Sequence, residues 1–154
     1  MFIREETINL HLSDIPVLAN TFALYMIGLK DIHHIAIICS DYHVSKDFYT
    51  RVLGLQIINE TYRAERQSYK LDLSLNGRYI IELFSFPDPP ARLSMPESTG
   101  LRHLAFEVDD IRASVEALQR MGIDTEPVRV DAITGKQFTF FTDPDHLPIE
   151  LYER

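Results

Sequence analysis

An internal repeat constrains the fold of this chain more than any other feature of its sequence. His34 and Glu82 recur as His103 and Glu150, at spacings of 69 and 68 residues. The segments around them recur as well, because His-Ile-Ala-Ile becomes His-Leu-Ala-Phe and Ile-Glu-Leu is repeated unchanged. A fixed spacing of this kind indicates a structural unit that is used more than once. The sequence therefore predicts two copies of one module.

Each half predicts the same order of elements, βαβββ. An apolar strand leads to a helix-capping aspartate, Asp41 or Asp110, and a helical pattern that ends at a glycine. Three strands follow, and in the first half two of them are joined by Asn76-Gly77, the dipeptide preferred in a type I′ hairpin turn. The predicted fold class is therefore α+β. The apolar stripes expected to face the core are Val44, Phe48, Tyr49 and Val52 in the first helix and Ile111, Val115, Leu118 and Met121 in the second.

The repeat also sets the expected boundaries. Residues 30–86 form the first module, residues 101–154 the second, and the Pro-rich stretch 87–100 a linker between them. Residues 1–25 are predicted to be an N-terminal extension outside the core fold. Their apolar stretch is short for a membrane span, and acidic residues stand where a secretory signal carries positive charge.

The charge and the cysteine content of the chain argue against several kinds of binding partner and cellular location. The net charge of −8 disfavours nucleic acid and anionic membranes, because no basic field would attract either. The chain contains one cysteine, so it cannot form an intramolecular disulfide. This composition suits a reducing compartment, and we expect a cytoplasmic protein that acts on a small molecule.

Strand alternation places the repeated polar residues on one side of the predicted sheets. His34, Glu82, His103 and Glu150 each lie next to apolar residues that face the helix-packed core, so all four point away from it. Two imidazoles and two carboxylates suit a borderline divalent ion. The same groups buried together without a metal would repel one another. We therefore expect these four residues to bind one divalent metal, with zinc or nickel favoured over manganese, cobalt or iron.

Four segments of the sequence carry a family resemblance. They are His33-His34-Ile-Ala-Ile, Ile81-Glu82-Leu-Phe-Ser-Phe-Pro, Leu101-Arg-His103-Leu-Ala-Phe and Phe140-Phe-Thr-Asp-Pro-Asp. With them, residues 30–154 resemble the vicinal oxygen chelate superfamily, within it glyoxalase I (lactoylglutathione lyase), and most closely the small bacterial group named after YaeR.

The resemblance implies an open, cupped β-sheet barrel around the metal, with His34, Glu82, His103 and Glu150 as the ligands. It also implies a lyase or isomerase that transfers a proton through a metal-bound enediolate of a small hydroxy-carbonyl or thiol adduct, with Glu150 or Glu82 as the base. A homodimer is expected. The modules could pair within one chain or across two chains.

The sequence departs from glyoxalase I at two positions. Ile38 and Phe86 stand where that enzyme usually carries an Arg and an Asn that contact glutathione. Phe84 and Phe86 predict an apolar mouth to the site, and the candidate anion partners are Arg63, Arg66, Arg102 and Lys136.

Three other functions remain open on the same scaffold. They are a dioxygenase, a transferase that opens an epoxide, and a metal-free binding or resistance protein. Glu82 disfavours the first two, because their sites resemble three-ligand sites. The presence of all four ligands disfavours the third.

Overall fold

The computed structural model describes residues 27–93, 96 and 98–154. The chain divides into two units after Ile32, and the unit from His33 to Arg154 contains all the helices and strands given below for the two modules. The predicted extension, residues 1–25, lies outside the described residues. Within the described ranges, none of the helices has the length and apolar character needed to cross a membrane.

Each module contains four strands and a helix. In the first module the elements are β1 (Ile35–Cys39), α1 (Tyr42–Asp47), a π-helical segment (Phe48–Val52), β2 (Gln56–Arg63), a 3₁₀ turn (Ala64–Arg66), β3 (Ser68–Leu75) and β4 (Arg78–Ser85). In the second they are β5 (Leu104–Val108), α2 (Ile111–Arg120), β6 (Arg129–Val130), β7 (Gln137–Thr142) and β8 (Pro148–Glu153).

The two sheets have the same topology. Their strand orders are β1-β4-β3-β2 and β5-β8-β7-β6. In each sheet the first strand of the module pairs in parallel with the last, and the remaining pairs are antiparallel. The predicted α+β fold with two βαβββ modules is therefore confirmed, and the sheets are cupped without closing into a barrel.

Local signals in the sequence explain where the helices and the hairpin form. The side chain of Asp41 accepts hydrogen bonds from two backbone N–H groups of α1, and Asp110 does the same for α2. Asn76 and Gly77 have φ values of 51° and 77°, as a type I′ turn requires at both central positions.

Two residues of the predicted helical stripes do not face the core. Val44 is 52% exposed, because α1 has only six residues before the wider π-helical turns begin, and Tyr42 and Ser45 are buried instead. Met121 is 40% exposed, because it lies one residue beyond the end of α2. The core-facing assignments of these two residues were wrong.

A single hydrophobic core joins the two modules. Ile81 and Leu83 of β4 and Ile149 of β8 are fully buried members of it, together with residues of both helical segments. Across the core, the hydroxyl of Tyr49 donates a 2.9 Å hydrogen bond to Asp143 Oδ2. Because side chains alternate along a strand, the residues between these core members point to the other face of each sheet, away from the shared core.

Candidate metal centre

Glu82 lies between Ile81 and Leu83 on β4, and its carboxylate faces the imidazole of His34. The two side chains meet with His34 Nε2 and Glu82 Oε2 3.1 Å apart. The carboxylate is largely shielded, because the Glu82 side chain is 14% exposed. We call this pair the N-terminal half-site.

The second module repeats this arrangement. His103 Nε2 lies 3.1 Å from Glu150 Oε2, and the Glu150 side chain is 13% exposed. We call this pair the C-terminal half-site. The internal repeat of the sequence has therefore produced two half-sites of the same geometry.

The structure does not bring the four residues together in one chain. Within the described residues, no three His, Cys, Asp or Glu side chains form a group that could hold a metal ion. Each half-site lies on the face of its sheet that points away from the common core, so the modules pack with their ligand faces apart. Among the described residues of one protomer, the four side chains therefore lie as two separate His–Glu pairs, each on the sheet face that strand alternation predicts.

The N-terminal half-site is surrounded by polar side chains. Tyr79 donates a 2.6 Å hydrogen bond from its hydroxyl to Glu82 Oε1, and its ring stacks on His34 at a centroid distance of 5.3 Å. Lys70 Nζ lies 2.7 Å from the same carboxylate oxygen and also pairs with Asp72. Partial burial opposes ionisation of Glu82, but hydrogen bonds from Lys70 and Tyr79 hold its pKa below the usual value. These contacts keep Glu82 ionised and fix its orientation.

The C-terminal half-site has an aromatic neighbour instead. Phe140 of β7 is the strand partner of Glu150, where Asp72 is the partner of Glu82. Its ring also lies edge-on to His103, at a centroid distance of 5.3 Å. Within the described residues, His103 is the one polar partner of Glu150, and His103 Nδ1 is buried without a hydrogen bond.

The donor sets fit a divalent metal. Two donors bound to one ion at about 2.0–2.2 Å lie roughly 2.8–3.6 Å apart in octahedral or tetrahedral geometry. The separation of 3.1 Å in both half-sites falls within that range. Each half-site supplies two donors, and the two kinds together give the two imidazoles and two carboxylates that a borderline ion prefers.

The residues predicted to contact substrate divide into two groups. Phe84 and Phe86 share the ligand face with Glu82, and their rings stack at a centroid distance of 6.1 Å. Lys136 donates to the backbone carbonyl of Arg154, at 2.5 Å, and Arg102 is exposed beside His103. The structure therefore places the two phenylalanines, but not Lys136, in a position to line the mouth of a half-site.

Sequence reasoning missed the polar partners of Glu82. A signal was present, because Lys70 and Asp72 alternate with apolar residues along β3 and so lie on one face of the strand. Tyr79 carried no such signal, since an aromatic residue in a strand usually packs in a core.

The comparisons with known proteins agree with this architecture. The chain belongs to the Glyoxalase/Bleomycin resistance protein/Dioxygenase superfamily, whose sequence model matches residues 31–151. Members of this superfamily generally bind a divalent metal ion, and they typically form dimers and bind small molecules.

Individual relatives are similar over nearly their whole length. The chain is 67% identical over 126 residues to the uncharacterized protein YwkD of Bacillus subtilis, covering 82% of this chain and 98% of that one. It is 60% identical over 129 residues to the uncharacterized protein YaeR of Escherichia coli, covering 84% of this chain and all of that one. The crystal structure of a glyoxalase family protein from Enterococcus faecalis superposes with a TM-score of 0.75 at 49% identity, covering 80% of this chain and 98% of that one.

Proposed function

We propose that this protein is a homodimeric, divalent-metal-dependent lyase or isomerase of the glyoxalase I type. Each active site would combine the N-terminal half-site of one protomer with the C-terminal half-site of its partner. The observation that carries the proposal is the pair of matching His–Glu half-sites, each with a 3.1 Å separation, on sheet faces that point away from the shared core. A two-fold axis that joins one half-site of each kind joins the other two as well, so one interface completes both sites.

The free edges of the sheets support a dimer of this kind. The strands β1 and β5 lie at the edge of their sheets, next to the half-sites. On β1 the side chain of Ile38 is 56% exposed, on the ligand face. Exposed edge strands with apolar side chains are normally covered in a stable protein. A partner protomer that covers β1 and β5 would bury these edges and close the cup around the metal.

The metal would be zinc or nickel, held by His34 and Glu82 of one protomer and by His103 and Glu150 of the other. Its contribution when bound is Lewis acidity, which acidifies the carbon-bound proton of a substrate that offers two adjacent oxygens. The substrate class that fits is a small hydroxy-carbonyl or thiol adduct. Phe84 and Phe86 would pack against its apolar part.

The different surroundings of the two carboxylates support different roles for them. Glu82 is held by His34, Lys70 and Tyr79 together, so it would remain a fixed ligand. Glu150 has His103 as its one polar partner among the described residues and Phe140 as its strand neighbour, so fewer contacts hold its carboxylate in place. Glu150 would therefore take the proton from the carbon beside the carbonyl and return it to the neighbouring carbon.

The single thiol is not part of this chemistry. Cys39 is buried at the end of β1, and burial raises its pKa to about 11, so it is not a nucleophile. A free thiol in the core is compatible with the cytoplasmic location that we propose.

Metal analysis and proton exchange test the function. The purified protein should contain about one first-row divalent ion per protomer. It should also exchange the carbon-bound proton of methylglyoxal hemithioacetals, made with several thiols, for deuterium from solvent. Glu150→Gln should retain much of the metal but lose exchange by about a hundredfold or more, whereas Glu82→Gln should lose the metal.

The control is Lys136→Ala, which removes an exposed cation bound to a backbone carbonyl and should alter neither quantity. A metal-free wild-type protein, or full exchange activity in Glu150→Gln, would contradict the proposal.

A further inference from the structure

Arg63 is the last residue of β2, and it lies on the same sheet face as the metal-binding carboxylate Glu82. Its strand partner is Ser68, whose buried hydroxyl accepts hydrogen bonds from Arg63 Nε, at 3.2 Å, and from Arg63 Nη2. The guanidinium lies over two rings, 4.8 Å from the centroid of Phe84 and 5.5 Å from that of Phe86. Stacking engages the face of a guanidinium and leaves its remaining N–H groups in the plane available to a ligand.

The charge of Arg63 is not neutralised by a neighbouring carboxylate. Within the described residues its contacts are the Ser68 hydroxyl and the two phenylalanine rings, and no acidic group lies within ion-pair distance. Lys70, the other cation beside Phe84, is paired with both Asp72 and Glu82. Arg63 is therefore a fixed, half-buried guanidinium with spare donors, beside the metal half-site.

The second module supplies an internal comparison. Arg129 lies over Phe138 and Phe140 at the same centroid distances, 4.8 and 5.5 Å. However, Arg129 Nη2 lies 2.8 Å from a carboxylate oxygen of Glu126, which neutralises its charge. Both arginines stack on two phenylalanine rings at these distances, although the rings under Arg129 belong to the adjacent strand and those under Arg63 lie two strands away. They differ in whether a carboxylate is already bound. Stacking on two phenylalanine rings therefore does not explain why Arg63 has no carboxylate partner among the described residues.

The position of Arg63 indicates how far the anionic group of a ligand would lie from its metal-chelating oxygens. Phe84 is two residues beyond Glu82 on β4, a distance of roughly 7 Å along the strand. A group bound to Arg63 would therefore lie several bonds from oxygens that chelate a metal at Glu82. The face of Phe84 lies between the two points and suits a short apolar connection.

We propose that Arg63 forms an anion subsite, and that the substrate carries a carboxylate or phosphate group several bonds from its two chelating oxygens. This inference rests on the proposed function, because it takes the metal at the half-site as the second point of attachment. It narrows the substrate class from any small hydroxy-carbonyl to an anionic one.

Three hydroxamates allow metal binding and anion binding to be measured independently. All three chelate a metal through two adjacent oxygens, and they differ in the group at the other end. Acetohydroxamate is neutral at its other end, succinic acid monohydroxamate ends in a carboxylate, and phosphonoacetohydroxamate ends in a phosphonate. Their dissociation constants would be measured by calorimetry on the metal-loaded protein. The wild type should bind at least one anionic probe roughly ten- to a hundredfold more tightly than acetohydroxamate. Which of the two anionic probes binds more tightly identifies the group as a carboxylate or a phosphate.

Matched variants locate the source of that preference. Arg63→Gln should bring the ratio of dissociation constants close to one, while binding of acetohydroxamate is unchanged. Arg129→Gln removes the same charge from the other module and should keep the full preference. Arg63→Lys keeps the charge without the planar fork and should keep part of it.

An equal preference in Arg63→Gln and Arg129→Gln, or no preference in the wild type, would overturn the anion subsite. In both cases binding of acetohydroxamate would still support the metal site. Failure of the loaded wild type to bind any of the three probes would instead refute the proposed function, and the subsite with it.

Discussion

The hydrogen bond between Tyr49 and Asp143 joins the two modules across the core, and its removal has a predictable cost. Tyr49 is fully buried and Asp143 is 3% exposed, with a separation of 2.9 Å between the hydroxyl and Oδ2. In Tyr49→Phe the ring still fills its place, but Oδ2 loses its donor, while Oδ1 keeps the N–H groups of Asp145 and Leu147. Removing the partner of a buried charged group costs about 1.5–3 kcal/mol. The free energy of unfolding should fall by that amount.

Tyr42→Phe is the matched control, because it removes the same atom from a buried tyrosine whose acceptor, Glu60, is partly exposed to solvent. The Tyr42 hydroxyl donates to Glu60 Oε1 at 2.6 Å, but the Glu60 side chain is 34% exposed and keeps Lys46 as a partner. Water can replace the lost donor there, so we expect a loss below about 1 kcal/mol.

Urea unfolding followed by circular dichroism suits this comparison, since the chain has no tryptophan. All proteins should be compared at one protomer concentration, because a dimer's stability depends on it. Equal losses in the two variants would refute the conclusion that the Tyr49–Asp143 contact joins the modules within a buried core.

Two further predictions concern pH and metal affinity. Burial raises the pKa of Asp143 above its unfolded value of 3.8, so ionisation costs the folded state more than the unfolded one. Stability relative to Asp143→Asn should therefore fall as the pH rises above about 4, measured by urea unfolding at each pH. A relative stability that rises with pH would contradict this prediction. Tyr79→Phe removes the hydroxyl that orients Glu82 and should weaken binding of cobalt(II), measured by its visible absorption, by about tenfold. Tyr62→Phe is the control, because Tyr62 is 53% exposed, and it should leave the cobalt(II) affinity unchanged. Equal affinities in the wild type, Tyr79→Phe and Tyr62→Phe would show that Tyr79 does not position Glu82.

Features encoded by local spacing were predictable from the sequence. The repeated His and Glu, the capping aspartates Asp41 and Asp110, and the Asn-Gly turn each act over a few residues or over strand alternation. These features gave the two βαβββ modules and the face on which each of the four polar residues lies.

The sequence could not predict whether the two half-sites lie together or apart in one chain. Strand alternation determines the sheet face on which a side chain lies, but not which part of the protein packs against that face. The answer depends on contacts such as that between Tyr49 and Asp143, which are 94 residues apart in the sequence. The same limit applies to Val44, whose exposure follows from the change to π-helical geometry at Phe48. It applies to Tyr79 as well, whose role depends on meeting both His34 and Glu82 in space.

Subunit complementation tests most directly whether the metal site is shared between protomers. One protomer would carry His34→Ala with Glu82→Ala and the other His103→Ala with Glu150→Ala. The two would be co-expressed with different affinity tags, so that the heterodimer can be purified. If sites form across protomers, the heterodimer keeps one intact site and should bind about one ion per dimer, half the wild-type content, while each parent homodimer binds none. A heterodimer that binds no metal, beside a fully loaded wild type, would show that each site belongs to one chain.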